Sequence, residues 1–90
     1  MNVFIVYGTT GEYSDRSEWA VCAYPKREDA DKHADQAKLW DHKNGREWAS
    51  LPYDKREKNP YDPEYTRDYT GTDYYVLECE LKERFENANS

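Results

Sequence analysis

The stretch Tyr61-Asp62-Pro63-Glu64-Tyr65-Thr66-Arg67-Asp68-Tyr69-Thr70-Gly71-Thr72-Asp73-Tyr74-Tyr75 interleaves tyrosine with Asp, Thr and Gly. That mixture has the chemistry of a protein-binding loop: a ring supplies contact area at small entropic cost, and short polar residues adapt around it. Trp48, Tyr53, Tyr61, Tyr65 and Tyr69 are the candidate apolar anchors, and Asp62, Asp68 and Asp73 would meet Lys or Arg on a partner. The plainer reading is that these rings cover one face of a sheet. Aromatic rings also stack on bases, normally inside a basic groove. Here Lys55, Arg56, Lys58 and Arg67 are outweighed by Asp54, Glu57, Asp62, Glu64, Asp68 and Asp73.

Other reactive residue types lack the spacing that catalysis needs. His33 and His42 fall too far apart along one expected helix to share a metal ion, and no third ligand stands at motif spacing. Glu78 and Glu80 share one strand face, where a carboxylate pair can do acid/base work, but no nucleophile or histidine accompanies them; a solvated strand face is the simpler reading. The Gly8-Thr9-Thr10-Gly11 loop lacks the Gly-Lys-Ser/Thr of a phosphate cradle, and no helix starts there. Cys22 and Cys79 have no cysteine neighbour and read as small hydrophobes within strands. Hence no catalytic residue, metal or cofactor is expected.

The totals limit the partner. Nineteen acidic against thirteen basic residues give a formal net charge of −6, which disfavours phosphate backbones and suits a basic protein or a protein groove that normally holds nucleic acid. No leader-like or membrane-length apolar run occurs, so a cytoplasmic protein with no membrane partner is expected. Ninety residues support one modest core.

Among the elements that must position those residues, Val3-Phe4-Ile5-Val6-Tyr7 is β-branched or aromatic on both alternate faces and reads as a central strand. A loop over 8–17 follows. Residues 18–24 alternate as a second strand, with Trp19, Val21 and Ala23 on one face and Ala20, Cys22 and Tyr24 on the other. Pro25 ends it, and Glu28, Asp29 and Asp31 suit a helix start. The helix is expected over 26–42, with Ala30, Ala34, Ala37 and Trp40 or Asp41 inward, Leu39 and Trp40 anchoring its far end, and a stop at Asn44-Gly45. From 46 to 73 no periodicity persists, apart from an expected helical turn over 62–67. A third strand over 74–81 places Tyr75, Leu77, Cys79 and Leu81 on its core face.

The elements assemble as an α+β domain over 1–82: a three-stranded antiparallel sheet, ββαβ in order 2-1-3, with one helix on one face and a long Tyr-rich connection. Residues 83–90 form a polar, fraying tail in which Phe85 tucks against the sheet. The sheet's second face needs a cover, supplied by the Tyr-rich segment, a second copy or a partner.

The opening Met1-Asn2-Val3-Phe4-Ile5-Val6-Tyr7, the strand end Ala23-Tyr24, the helix start Glu28-Asp29-Ala30 and the closing Tyr75-Val76-Leu77-Glu78 resemble small uncharacterised proteins of bacteriophages and bacteria. The resemblance omits the Tyr-rich insertion and transfers no catalytic residue. It implies a phage-type accessory protein, many of which bind and block a host protein. The resulting expectation is a non-enzymatic inhibitor of a host enzyme or defence complex, of anti-CRISPR or anti-restriction type. The alternatives are a structural homodimer and a single-stranded nucleic-acid binder working through the Tyr-rich segment.

Overall fold

The computed structural model describes residues 1–87. Strands β1 (Asn2–Thr10), β2 (Ser17–Tyr24) and β3 (Thr72–Glu80) form one antiparallel sheet in the order β2-β1-β3, and helix α1 (Arg27–Ser50) crosses one face. This is the ββαβ arrangement expected from the alternation pattern. Residues 88–90 of the expected tail lie outside the described residues.

Helix α1 buries Ala30, Ala34, Ala37, Asp41 and Gly45, a stripe of small side chains that lets its backbone approach the sheet closely. It meets Val6 and Tyr74, with Phe4, Val21, Cys22, Tyr24 and Val76 packed around them. Burial of a full side chain such as Val6 stabilises by about 1.5–3 kcal/mol. Leu39, expected as an anchor, is exposed, whereas Trp40 is half-buried.

The expected stop at Asn44-Gly45 does not occur, and α1 continues for another turn and a half to Ser50. Gly45 is not left-handed; the positive-φ glycines are Gly11 and Gly71. Asn44 returns its amide to the Trp40 carbonyl at 3.0 Å, within the helix. The helix ends where Leu51 turns extended, at φ −85 and ψ 150, because it precedes Pro52.

Register sets which side chains face the helix. Phe4, Val6, Gly8 and Thr10 of β1 pair with Glu78, Val76, Tyr74 and Thr72 of β3, so the even-numbered residues of β3 face α1. The sequence reading is therefore reversed on this strand: Leu77 is half exposed and Cys79 exposed. On β2 a bulge slips the pairing between Val6↔Cys22 and Tyr7↔Ala20. Trp19 thereby joins Cys22 and Tyr24 on the helix side, and strict alternation fails. Its indole lies so close to Gly8 that a Cβ there would sit 2.6 Å from the ring. Cys22 and Cys79 lie on opposite faces, and both are free thiols.

The connection after α1 contains a 3-10 turn at Tyr53–Lys55 and isolated bridges Asn59↔Asp62 and Asp68↔Gly71. Of the helical turn expected over 62–67 only a single turn at Pro63-Glu64 forms, closed by the Tyr65 N–H donating to the Asp62 carbonyl at 3.1 Å, and it is not continued into a helix. The connection packs on the helix side of the sheet. It leaves the other face open, against the expectation that its tyrosines cover it. Phe85 is 91% exposed and does not tuck against the sheet.

Candidate functional site

The eight residues expected to meet a partner separate into fasteners and surface groups. Asp62 is fully buried. Its carboxylate accepts the Trp19 indole N–H at 3.1 and 3.0 Å, the Tyr74 hydroxyl at 2.7 Å and the Glu64 N–H at 3.0 Å. Asn59 continues this network, donating to the Ala37 carbonyl at 3.1 Å and the Tyr74 oxygen at 3.4 Å. The connection is thus bolted to β2, β3 and α1 through groups that a partner cannot reach without unfolding it.

Tyr65 is also buried, at 5% exposure, with its ring edge-on to Trp40 and Trp48 and its hydroxyl donating to Asp41. Burial and the Asp41 carboxylate push the Tyr65 phenol well above its ordinary range. Burial, then the hydrogen bond to Asp62, does the same for Tyr74. Asp68 fastens the end of the connection, accepting from the Thr70 N–H and hydroxyl and the Thr10 hydroxyl, while its buried Oδ2 has no hydrogen-bond partner among the described residues. The Thr70 hydroxyl is the main reason that its carboxyl is held below the usual carboxylate range.

Tyr53 and Tyr69 protrude, at 88% and 84% exposure. Trp48 is half-buried and shares the Arg56 guanidinium with Tyr53, at 4.5 and 4.4 Å from the two rings. Tyr61 lies partly exposed, edge-on to His33. His33 is a fastener too: its Nε2 donates to the Tyr61 carbonyl at 2.6 Å, so in the neutral ring Nδ1 accepts the Tyr24 hydroxyl at 2.8 Å. Asp73 turns around the sheet edge to within 3.8 Å of Lys38. These groups do not form one patch.

The sheet's second face, which the sequence showed to need a cover but whose residues were not among the expected contacts, is the larger apolar surface. Its rows run Val3 with Cys79, Ile5 with Ala23 and Leu77, Tyr7 with Ala20 and Tyr75, and Thr9 with Glu18. Tyr7 and Tyr75 stack with centroids 5.4 Å apart and planes 13° apart. Arg16 closes one end through Thr9 and Glu18. No charged side chain lies in the three rows from Val3 to Tyr7. The signal for this face was present in β1, whose odd positions Val3, Ile5 and Tyr7 are as apolar as its even ones.

Among the described residues, no group of three His, Cys, Asp or Glu side chains could hold a metal ion, and no helix is long and apolar enough to cross a membrane. No protein-family model, curated protein or solved structure matches this chain.

Proposed function

We propose that this chain is a non-enzymatic, cytoplasmic protein-binding module of the phage accessory-inhibitor type, which docks the open face of its sheet onto a basic host protein such as a nucleic-acid-handling defence complex. The observation that carries this reading is the uncharged face built from Val3, Ile5, Tyr7, Ala20, Ala23, Tyr75 and Leu77, with Leu77 50% exposed. Exposed apolar residues are ordinary one by one, but a contiguous uncharged face of this kind is the mark of an interaction surface. The net charge of −6 favours a basic occupant over a second copy, because two copies pressed face to face bring like charges together. Tyr53, Tyr61, Tyr69 and Asp73 contribute where the partner wraps past the sheet edge.

The test begins with capture of a partner from nuclease-treated bacterial lysate and continues with its purified affinity for variants. Leu77→Asp should weaken binding by about thirtyfold or more, the loss of one buried anchor, with the far-ultraviolet spectrum unchanged. Tyr69→Ala should cost less. Equal affinity for Leu77→Asp and the unaltered chain would remove the sheet face from the interface. A dimer seen by light scattering, dispersed by Leu77→Asp, would replace the host protein with a second copy.

A further inference from the structure

A second feature lies on the helix side and does not depend on the sheet face. Lys38, His42 and Arg46 recur every four residues along α1 and so form one ridge. Opposite them stand Arg67, Thr70, Gly71 and Thr72 from the connection and the start of β3. With Asp41 and Asp73 they line an open groove of about 660 Å³. We propose that this groove binds a phosphate dianion, either free or as a monoester.

Arg67 carries the argument. Its side chain is only 17% exposed, and its Nε donates to Asp41 Oδ1 at 3.1 Å. It lies in the space that Gly45 leaves empty: a Cβ there would sit 2.5 Å from Nε and 3.0 Å from Cδ. So held, the guanidinium brings Nη2 to the groove wall, 3.6 Å from where a Gly71 Cβ would be. Neither amino group has a protein acceptor among the described residues. An arginine fixed through Nε, with both terminal nitrogens free, is a preorganised fork for two oxygens of one anion.

The carboxylates lining the groove leave room for that anion. Asp41 is already satisfied: Oδ1 accepts from Tyr65 and Arg67, and Oδ2 from the Thr72 N–H at 3.4 Å. Asp73 sits at the rim, where its Oδ1 accepts the Tyr74 N–H at 2.9 Å and lies 3.8 Å from the Lys38 ammonium, a long, solvent-exposed pairing that an anion in the groove would compete with. Counting Lys38, Arg46 and Arg67 against Asp41 and Asp73 leaves one positive charge (3 − 2), before His42 is considered. In a chain of net charge −6, a positive groove is a local exception. A dianion matches several separated cations better than a single carboxylate does, and the groove has the volume of a small-molecule site.

The test is titration of the isotopically labelled full chain with inorganic phosphate at constant ionic strength, followed by NMR, with glycerol 2-phosphate as a second arm. Saturable shifts are expected at the Gly71 and Thr72 amides and the Arg67 Nε–H. Arg46→Gln and Lys38→Gln, both at exposed positions, should each weaken binding by about tenfold, and Asp73→Asn should strengthen it. Tighter binding of the ester would identify a monoester as the ligand, and tighter binding of inorganic phosphate the free ion. Shifts that rise linearly and everywhere, or equal affinity in all three variants, would overturn the site.

Discussion

At Asp62 every donor to a fully buried carboxylate is neutral: an indole, a phenol and a backbone amide. Such a group is tolerated only because its hydrogen bonds are complete, and each one removed strands a buried donor at about 1–3 kcal/mol. Asp62→Ala strands the Trp19 N–H and the Tyr74 hydroxyl together. It should therefore lower stability by roughly 3 kcal/mol or more, read from the urea midpoint at unchanged slope. Tyr69→Ala, at a side chain that is 84% exposed, should leave the midpoint within about 0.5 kcal/mol. The contrast separates fasteners from surface groups in a segment where both are written with the same residue types. That is also why Asp62 and Tyr65 read as contact residues from sequence: a mixture of Tyr, Asp and Thr describes an adaptable surface loop and a satisfied buried network equally well. Only the positions of Trp19 and Asp41, far away in the chain, decide between them.

At the scale of elements, the strand order and the alanine stripe of α1 were legible, because β1 is apolar on both faces and Ala30, Ala34 and Ala37 keep helical spacing. What was not legible depended on tertiary contact. A glycine after an asparagine reads as a helix stop on local grounds, but Gly45 is there to admit Arg67. The face of β3 was ambiguous because Tyr74 and Val76 are as apolar as Tyr75 and Leu77, and a shift of one residue exchanges the two sets. The bulge near Val21 has no glycine or proline to announce it. Gly45→Ala sets these local and tertiary influences against each other. Helix propensity gains about 1 kcal/mol, while displacing Arg67 from Asp41 forfeits about 1.5–3 kcal/mol. The melting temperature should fall, whereas Ala49→Gly, at an exposed position of the same helix, should show propensity alone.

Across the whole molecule, the small core makes stability depend on the protonation of its polar bolts. Tyr65 and Tyr74 keep their protons in the folded chain far above the pH at which the unfolded chain releases them. The unfolded state then binds fewer protons than the folded one, so stability is full below about pH 10 and falls as pH rises beyond it, by up to about 1.4 kcal/mol per pH unit for each tyrosine. Asp68 acts in the opposite direction: its lowered carboxyl contributes stability that is present at neutral pH and lost as pH falls through its folded value. Denaturant melts across alkaline pH should show the decline, and Tyr65→Phe should reduce its slope by the Tyr65 share while leaving that of Tyr74.

The register that sets Tyr7 beside Tyr75, and Asn2 beside Glu80, also orders events in time. During translation at about 5–20 residues per second, roughly 3–14 s separate synthesis of the two tyrosines. From the synthesis of Tyr24 onward, the larger part of that interval, the nascent chain has β1 and β2 but nothing to close the other edge of β1, and the bolts around Tyr74 have no Tyr74 to receive them. β3, made well after the β1–β2 hairpin, is the strand that turns β1 from an edge into the middle of the sheet, so a message interrupted before it yields a hairpin with an open edge and no folded domain.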